Sequence, residues 1–165
     1  MHRILISRCL LGHSVRYDGS GKLLHHPLLD LWREQQRLAP ICPELEGGLG
    51  CPRPIAEISG GDGLQVLRGQ TQVRLQDHTD VSAAFIQGAN AALRLCQEQS
   101  IHFALLKARS PSCGSTSSYD GSFSGTIIDN GIGVTAALLR QHGIQIFDET
   151  QLDELAVVLE ETPIA

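Results

Sequence analysis

The sequence predicts an α/β fold, read as one three-layer domain over residues 1–165 with a mostly parallel sheet. Three observations carry this. Four short apolar runs, RILIS, LAPI, FALL and IQIF, have the length and composition of buried strands. They alternate with segments whose apolar residues recur at i, i+3, i+4 and i+7. No repeat, linker or low-complexity block divides the chain, and a domain of this size buries about 70% of its unfolded surface. Such alternation marks strand–helix–strand units wound onto both faces of a sheet.

In chain order, residues 3–7 form the first strand, ending just before Cys9. The stretch LLGHSVRYDGSGK is rich in turn residues. Residues 24–37 read as a helix, with Leu24, Leu28, Leu31 and Trp32 at helical spacing. Residues 38–41 are a second strand, ending at Cys42. CPELEGGLGCPRPIAEISGGDG is too dense in Gly and Pro to stay regular for long. LQVLRG and TQVRL then resemble two short strands of an edge hairpin. Residues 80–99 give the clearest helix, from Val81 through Phe85, Ala89, Ala92 and Leu93 to Cys96, with Thr79 or Asp80 as its cap. A third core strand spans 103–106, and residues 125–129 suit a short strand or hairpin arm. Residues 134–142 form a helix stopped by Gly143, 144–147 a fourth core strand, and 151–160 a terminal helix. The pattern is Rossmann-like, a fold that binds ligands beyond the carboxyl ends of its strands.

Composition narrows the functions. Thirteen basic residues face 18 acidic ones, for a net charge of −5, which disfavours a broad phosphate-binding surface for long nucleic acid. Aromatic residues make up only 4%, too few for a base-stacking platform. No apolar run reaches membrane-spanning length. MHRILISRCLLG places Arg8 in its apolar stretch and lacks a small-residue cleavage site, so it does not read as a signal peptide, and a cytoplasmic protein is expected. There is no GxxxxGKS or GxGxxG, and the adjacent His25 and His26 lack the spacing of a metal pair.

The five cysteines carry more information. In a reducing compartment they are metal ligands, reactive thiols or core residues rather than disulfides. Cys96 sits in the apolar stripe of its helix and reads as core. Cys9, Cys42 and Cys113 each lie at or shortly after a strand end, in loop-forming sequence, so three separate segments deliver one thiol each toward a common edge. No CxxC occurs, which argues against a zinc ribbon. Three scattered thiolates suit an iron–sulfur cluster with one open iron. Glu44, two residues after Cys42, is a candidate general acid or base, with Glu46 as its competitor, and Ser110 precedes Cys113 by three. Arg8, Arg16, Lys22, Arg53, Lys107 and Arg109 occupy the same loops, and Arg16, Lys107 and Ser112 are the candidate contacts to a substrate or its phosphate. The residues alone leave open an electron or sulfur carrier, a sensor, a metal-free enzyme with Cys113 as nucleophile, and a structural zinc protein.

The motifs ISRCLLG with RYDG, ICPELEGGLGCPRPIAEI, LLKARSPSCG and YDGSFSGTIIDNGIGVTAALL add a resemblance. Over residues 4–147 the chain resembles the bacterial thiouracil desulfurase family. The resemblance implies a [4Fe–4S] cluster held by Cys9, Cys42 and Cys113, with Glu44 and Ser110 in catalysis. It also implies non-redox removal of sulfur from 4-thiouracil, its nucleoside or its nucleotide; the acidic balance makes intact tRNA the weaker candidate. The sequence departs from the family at Ser14, where many relatives carry cysteine, and at Cys51, which stands before PRP as a spare thiol.

Overall fold

The computed structural model describes residues 1–129 and 131–164; Asn130, within the last of the quoted motifs, and Ala165 lie outside the described residues. Four parallel strands form the central sheet: β1 (Ile4–Ser7), β2 (Leu38–Ile41), β5 (Phe103–Leu105) and β8 (Gln145–Phe147), in the order β2-β1-β5-β8. Ile4 lies opposite both Leu38 and Phe103, so β1 is paired on both sides. Side chains of β1 alternate between faces. Leu5 packs with Ala92 and Leu93 of α4 (Ser82–Glu98) and with Ala136 and Leu139 of α5 (Val134–Gln141). Ile4 and Ile6 pack instead with Leu29 and Trp32 of α1 (Pro27–Glu34) and with Leu155 and Leu159 of α6 (Leu152–Glu161). The three layers and the parallel sheet expected from the alternation are therefore present.

Several elements differ from the sequence reading. The helix expected over 24–37 begins at Pro27, because proline suits the first helical position and His26 caps it by accepting the Leu28 N–H at 3.2 Å. LQVLRG is not a strand. It lies in α3 (Gly63–Leu67), nucleated by a capping box in which Asp62 accepts the Gln65 N–H while the Gln65 side chain accepts the Asp62 N–H. The strand within TQVRL, β4 (Val73–Leu75), pairs antiparallel with β3 (Ala56–Ile58), which the Gly/Pro-rich stretch concealed. That stretch also contains one turn of helix, α2 (Pro43–Glu46). The run at 125–129 supplies β7 (Ile127–Asp129), whose partner β6 (Ser117–Tyr119) comes from the polar loop after Cys113. At α4, Asp80 accepts the Ser82 N–H at 2.9 Å, one residue outside the cap position Val81.

Two glycines hold the short α2 against the long α4. A Cβ at Gly88 would overlap the carbonyl of Pro43, and one at Gly47 would overlap the carbonyl of Ala84. Backbone thus meets backbone, and this contact sets the position of everything that α2 carries. Gly88→Ala gains up to about 1 kcal/mol in helix propensity, whereas overpacking a tight contact costs roughly 1–3 kcal/mol. Urea unfolding should therefore show net destabilisation of Gly88→Ala, while a stabilised variant would mean that α2 moves aside freely.

Candidate metal centre

The carboxyl ends of β1, β2 and β5 point to one edge, and each is followed by one of the three cysteines. Cys9 lies in the 3-10 turn Arg8–Leu11 directly after β1. Cys42 is the N-cap of α2, because Pro43 halts β2 and starts the helix in one step. Cys113 follows β5 through Ser110 and Pro111; Arg109, in left-handed backbone at φ 66°, turns the chain into that segment. All three cysteines are buried.

Burial pushes the Cys9 thiol up to about 11, opposed by the charge of Lys107 and reinforced by Cys42. Burial likewise raises Cys42, opposed by the backbone N–H of Leu45 and reinforced by Glu44, with Arg53 opposing. Cys113 is raised most, again by burial, opposed by the Ser7 hydroxyl and reinforced by Cys9, Cys42 and Glu44. The three thiols therefore lie within electrostatic reach of one another, and Glu44 within reach of Cys42 and Cys113. Cys96 is also pushed up to about 11, but by burial alone, as expected of a core residue without charged neighbours.

These residues fit an iron–sulfur cluster. The donors are soft thiols from three rigid strand ends, in surroundings so dry that a thiolate requires a nearby cation. Among the described residues, no three Cys, His, Asp or Glu side chains close around a single metal ion.

Around the thiols lie two ion pairs. Glu44 Oε2 accepts Arg53 Nε at 2.6 Å, and Arg53 Nη2 closes on the same oxygen. Lys107 Nζ meets Glu149 Oε1 at 2.7 Å, while Glu149 Oε2 accepts the Ala108 N–H at 2.8 Å. Ser7 Oγ accepts the Lys107 N–H at 3.0 Å, which ties the end of β1 to the segment after β5. Ser110 Oγ accepts the N–H groups of Ser112 and Cys113, each at 3.1 Å, and so shapes the turn that presents Cys113. Its own hydrogen is not consumed by these two bonds.

The remaining predicted contacts separate. Arg16 reaches Cys9 with its charge and lies 5.8 Å over the Tyr17 ring. Lys107 is at the mouth but committed to Glu149. Ser112 is 1% exposed, and its hydroxyl is 2.8 Å from that of Thr135, at the base of α5 rather than toward an opening. Cys51 is exposed, its sulfur donating to the carbonyls of Ser14 and Arg16 at 3.1 and 3.3 Å. An open concavity of about 620 Å³ along the outer face of α4, beside Gln87, Asn90 and Arg94, contains none of these groups.

Sequence reasoning missed Ser7 and Glu149 and left Arg53 among the loop cations. A signal was present for the first two. Both follow the rule that strand ends carry the site, Ser7 as the last residue of β1 and Glu149 two residues beyond β8. Nothing local marks Arg53 as the partner of Glu44.

Comparison with known proteins gives the family and the fold. The chain is 39% identical over 155 residues to the uncharacterised protein YbbK of Bacillus subtilis (strain 168), covering 92% of this chain and 99% of YbbK. It is similar to a solved structure of the [4Fe-4S]-dependent thiouracil desulfidase TudS, with a TM-score of 0.90 and 46% identity, covering 98% of this chain and all of that one. The 2-thiouracil desulfurase family profile matches residues 4–151. The chain belongs to the 2-thiouracil desulfurase family.

Proposed function

We propose that this protein is an iron–sulfur-dependent desulfidase that converts 4-thiouracil, or its nucleoside or nucleotide, to the corresponding uracil product. The observation that carries the reading is the delivery of Cys9, Cys42 and Cys113 from three strand ends to one dry edge, with Glu44 within electrostatic reach. A [4Fe–4S] cluster held at three corners supplies, when bound, a thiophilic Lewis acid at its fourth iron.

The chain's own residues handle protons and position. Glu44 accepts a proton from the water that attacks the thiocarbonyl carbon, and returns it to the departing sulfur. Ser110, with its lone pairs already held by Ser112 and Cys113, has its O–H left to donate to the pyrimidine or the water. Arg16, whose charge reaches Cys9, is the candidate contact for a sugar or phosphate on the substrate. Overall, water gives its oxygen to the ring carbon and sulfur leaves as hydrogen sulfide, so no net electrons move. A reducing, cytoplasmic setting suits cysteines that serve as cluster ligands rather than disulfides.

The deciding experiment is anaerobic cluster reconstitution followed by loss of the 4-thiouracil absorbance with free base, nucleotide and thiolated tRNA in parallel. The corresponding uracil product and sulfide should appear in equal amounts from the free base and the nucleotide, with little turnover of tRNA. A cluster that changes oxidation state each turnover, or full activity after iron removal, would refute the reading.

Three variants refine it. Cys113→Ser should lose the cluster's visible absorbance and all turnover, whereas Cys96→Ala should keep both; equal cluster content in the two variants would remove Cys113 from the ligand set. Glu44→Gln should bind a full complement of iron and sulfide yet turn over about 10²–10⁴-fold more slowly, the usual contribution of a general base. Native rates in that variant would assign the proton to another group.

A further inference from the structure

Arg53 is the most heavily bonded side chain at the site, and the mechanism above gives it no task. Its Nε and Nη2 both converge on Oε2 of Glu44. Its Nη1 donates to the carbonyls of Val15 at 3.0 Å and Gly50 at 3.1 Å, and its backbone N–H to Tyr17 O at 2.7 Å. The side chain is 8% exposed. Among the described residues, the other Glu44 oxygen, Oε1, receives no hydrogen bond from the protein.

We propose that Arg53 is the positioning residue of this site: its two nitrogens lock Oε2 of Glu44 and leave Oε1 as the single working oxygen. The inference rests on the reading of Glu44 as the proton-handling group. A terminal carboxylate rotates over a broad, two-fold torsional range, so without a clamp its plane, and the direction of the working lone pair, is not fixed. The clamp also sets distance. Val15 O, which holds Nη1, also lies 3.9 Å from Cys42 Sγ, so the working carboxylate and a ligand sulfur flank the same peptide. Misplacing a reacting group by about 1 Å costs on the order of 100-fold. Lysine keeps the charge but is a single point donor without the planar fork.

The test uses Arg53→Met and Arg53→Lys, each alone and with Glu44→Gln, in cluster-loaded protein. Iron and sulfide content should match native in all of them. Arg53→Met should lower kcat about 100-fold while KM stays near native, and Arg53→Lys should recover only part of that loss. In the Glu44→Gln background, replacing Arg53 should cost nothing further. An equal loss in both backgrounds, an effect confined to KM, or full rescue by lysine would overturn the positioning role. Should Arg53→Met fail to fold, the Arg53→Lys pair carries the same comparison.

A native holoenzyme that leaves thiouracil intact would instead sink the desulfidase reading. The clamp is then judged by urea unfolding of the same variants without cluster, where a non-additive Arg53–Glu44 pair supports it and additive losses overturn it.

Discussion

The parallel pairing of β1 on both of its sides is the constraint from which the site follows. With β2 on one flank and β5 on the other, the chain leaves all three strands in the same direction. The segments that come next therefore arrive at one edge, although they are far apart in sequence. An antiparallel partner would carry one of them to the opposite end of the sheet. The strand order reverses between β1 and β5, and such a reversal opens a crevice at the carboxyl end. The alternation of Ile4, Leu5 and Ile6 between two buried layers secures this pairing. A slip of one residue would exchange the faces and expose neither to water, so both cores would have to repack.

Onto this frame the chain adds a second, local constraint, the contact of α2 with α4. Gly88 and Gly47 let the two backbones approach without side chains between them. α2 is only one turn long and has little stability of its own. Its place is set by the longer helix, and with it the places of Cys42 and Glu44. The Cys113 segment is held differently, by the Ser110 hydroxyl and by carbonyls of Pro111 and Ser112 that accept N–H groups at the start of α5.

Charge at the mouth is arranged in the same economical manner. A buried thiol stays protonated unless a cation compensates it, and the three thiols here are buried together. Arg53 and Lys107 both oppose that effect, but neither is a free cation, because Glu44 and Glu149 pair with them. Each pair also fastens one strand-end segment to another, Arg53 joining α2 to the 15–17 stretch and Glu149 joining the end of β8 to residue 108. Unpaired charges in such dry positions would be costly, and pairing them makes the loops rigid as well as neutral.

The periodicity of the chain by itself determined the core architecture. The four runs RILIS, LAPI, FALL and IQIF contain the strands of the central sheet, and the 3.6-residue stripe of residues 80–99 is the helix α4 that packs on it. The sequence also located Cys9 and Cys42 at or shortly after strand ends and Cys113 in the loop that follows β5. Other features were settled only by tertiary structure. LQVLRG has strand-like composition, yet the Asp62–Gln65 capping box makes it helical, and its apolar residues are satisfied by packing against α5. Ser112 and Ser110 look alike in a polar loop, but one hydroxyl is buried against Thr135 and the other turns toward the Cys113 backbone. Arg53 is one of many surface-type cations until the fold brings its guanidinium onto Glu44. Local sequence encodes which backbone shape is cheap, whereas the partner of a long polar side chain depends on which distant segments the sheet brings to the same edge.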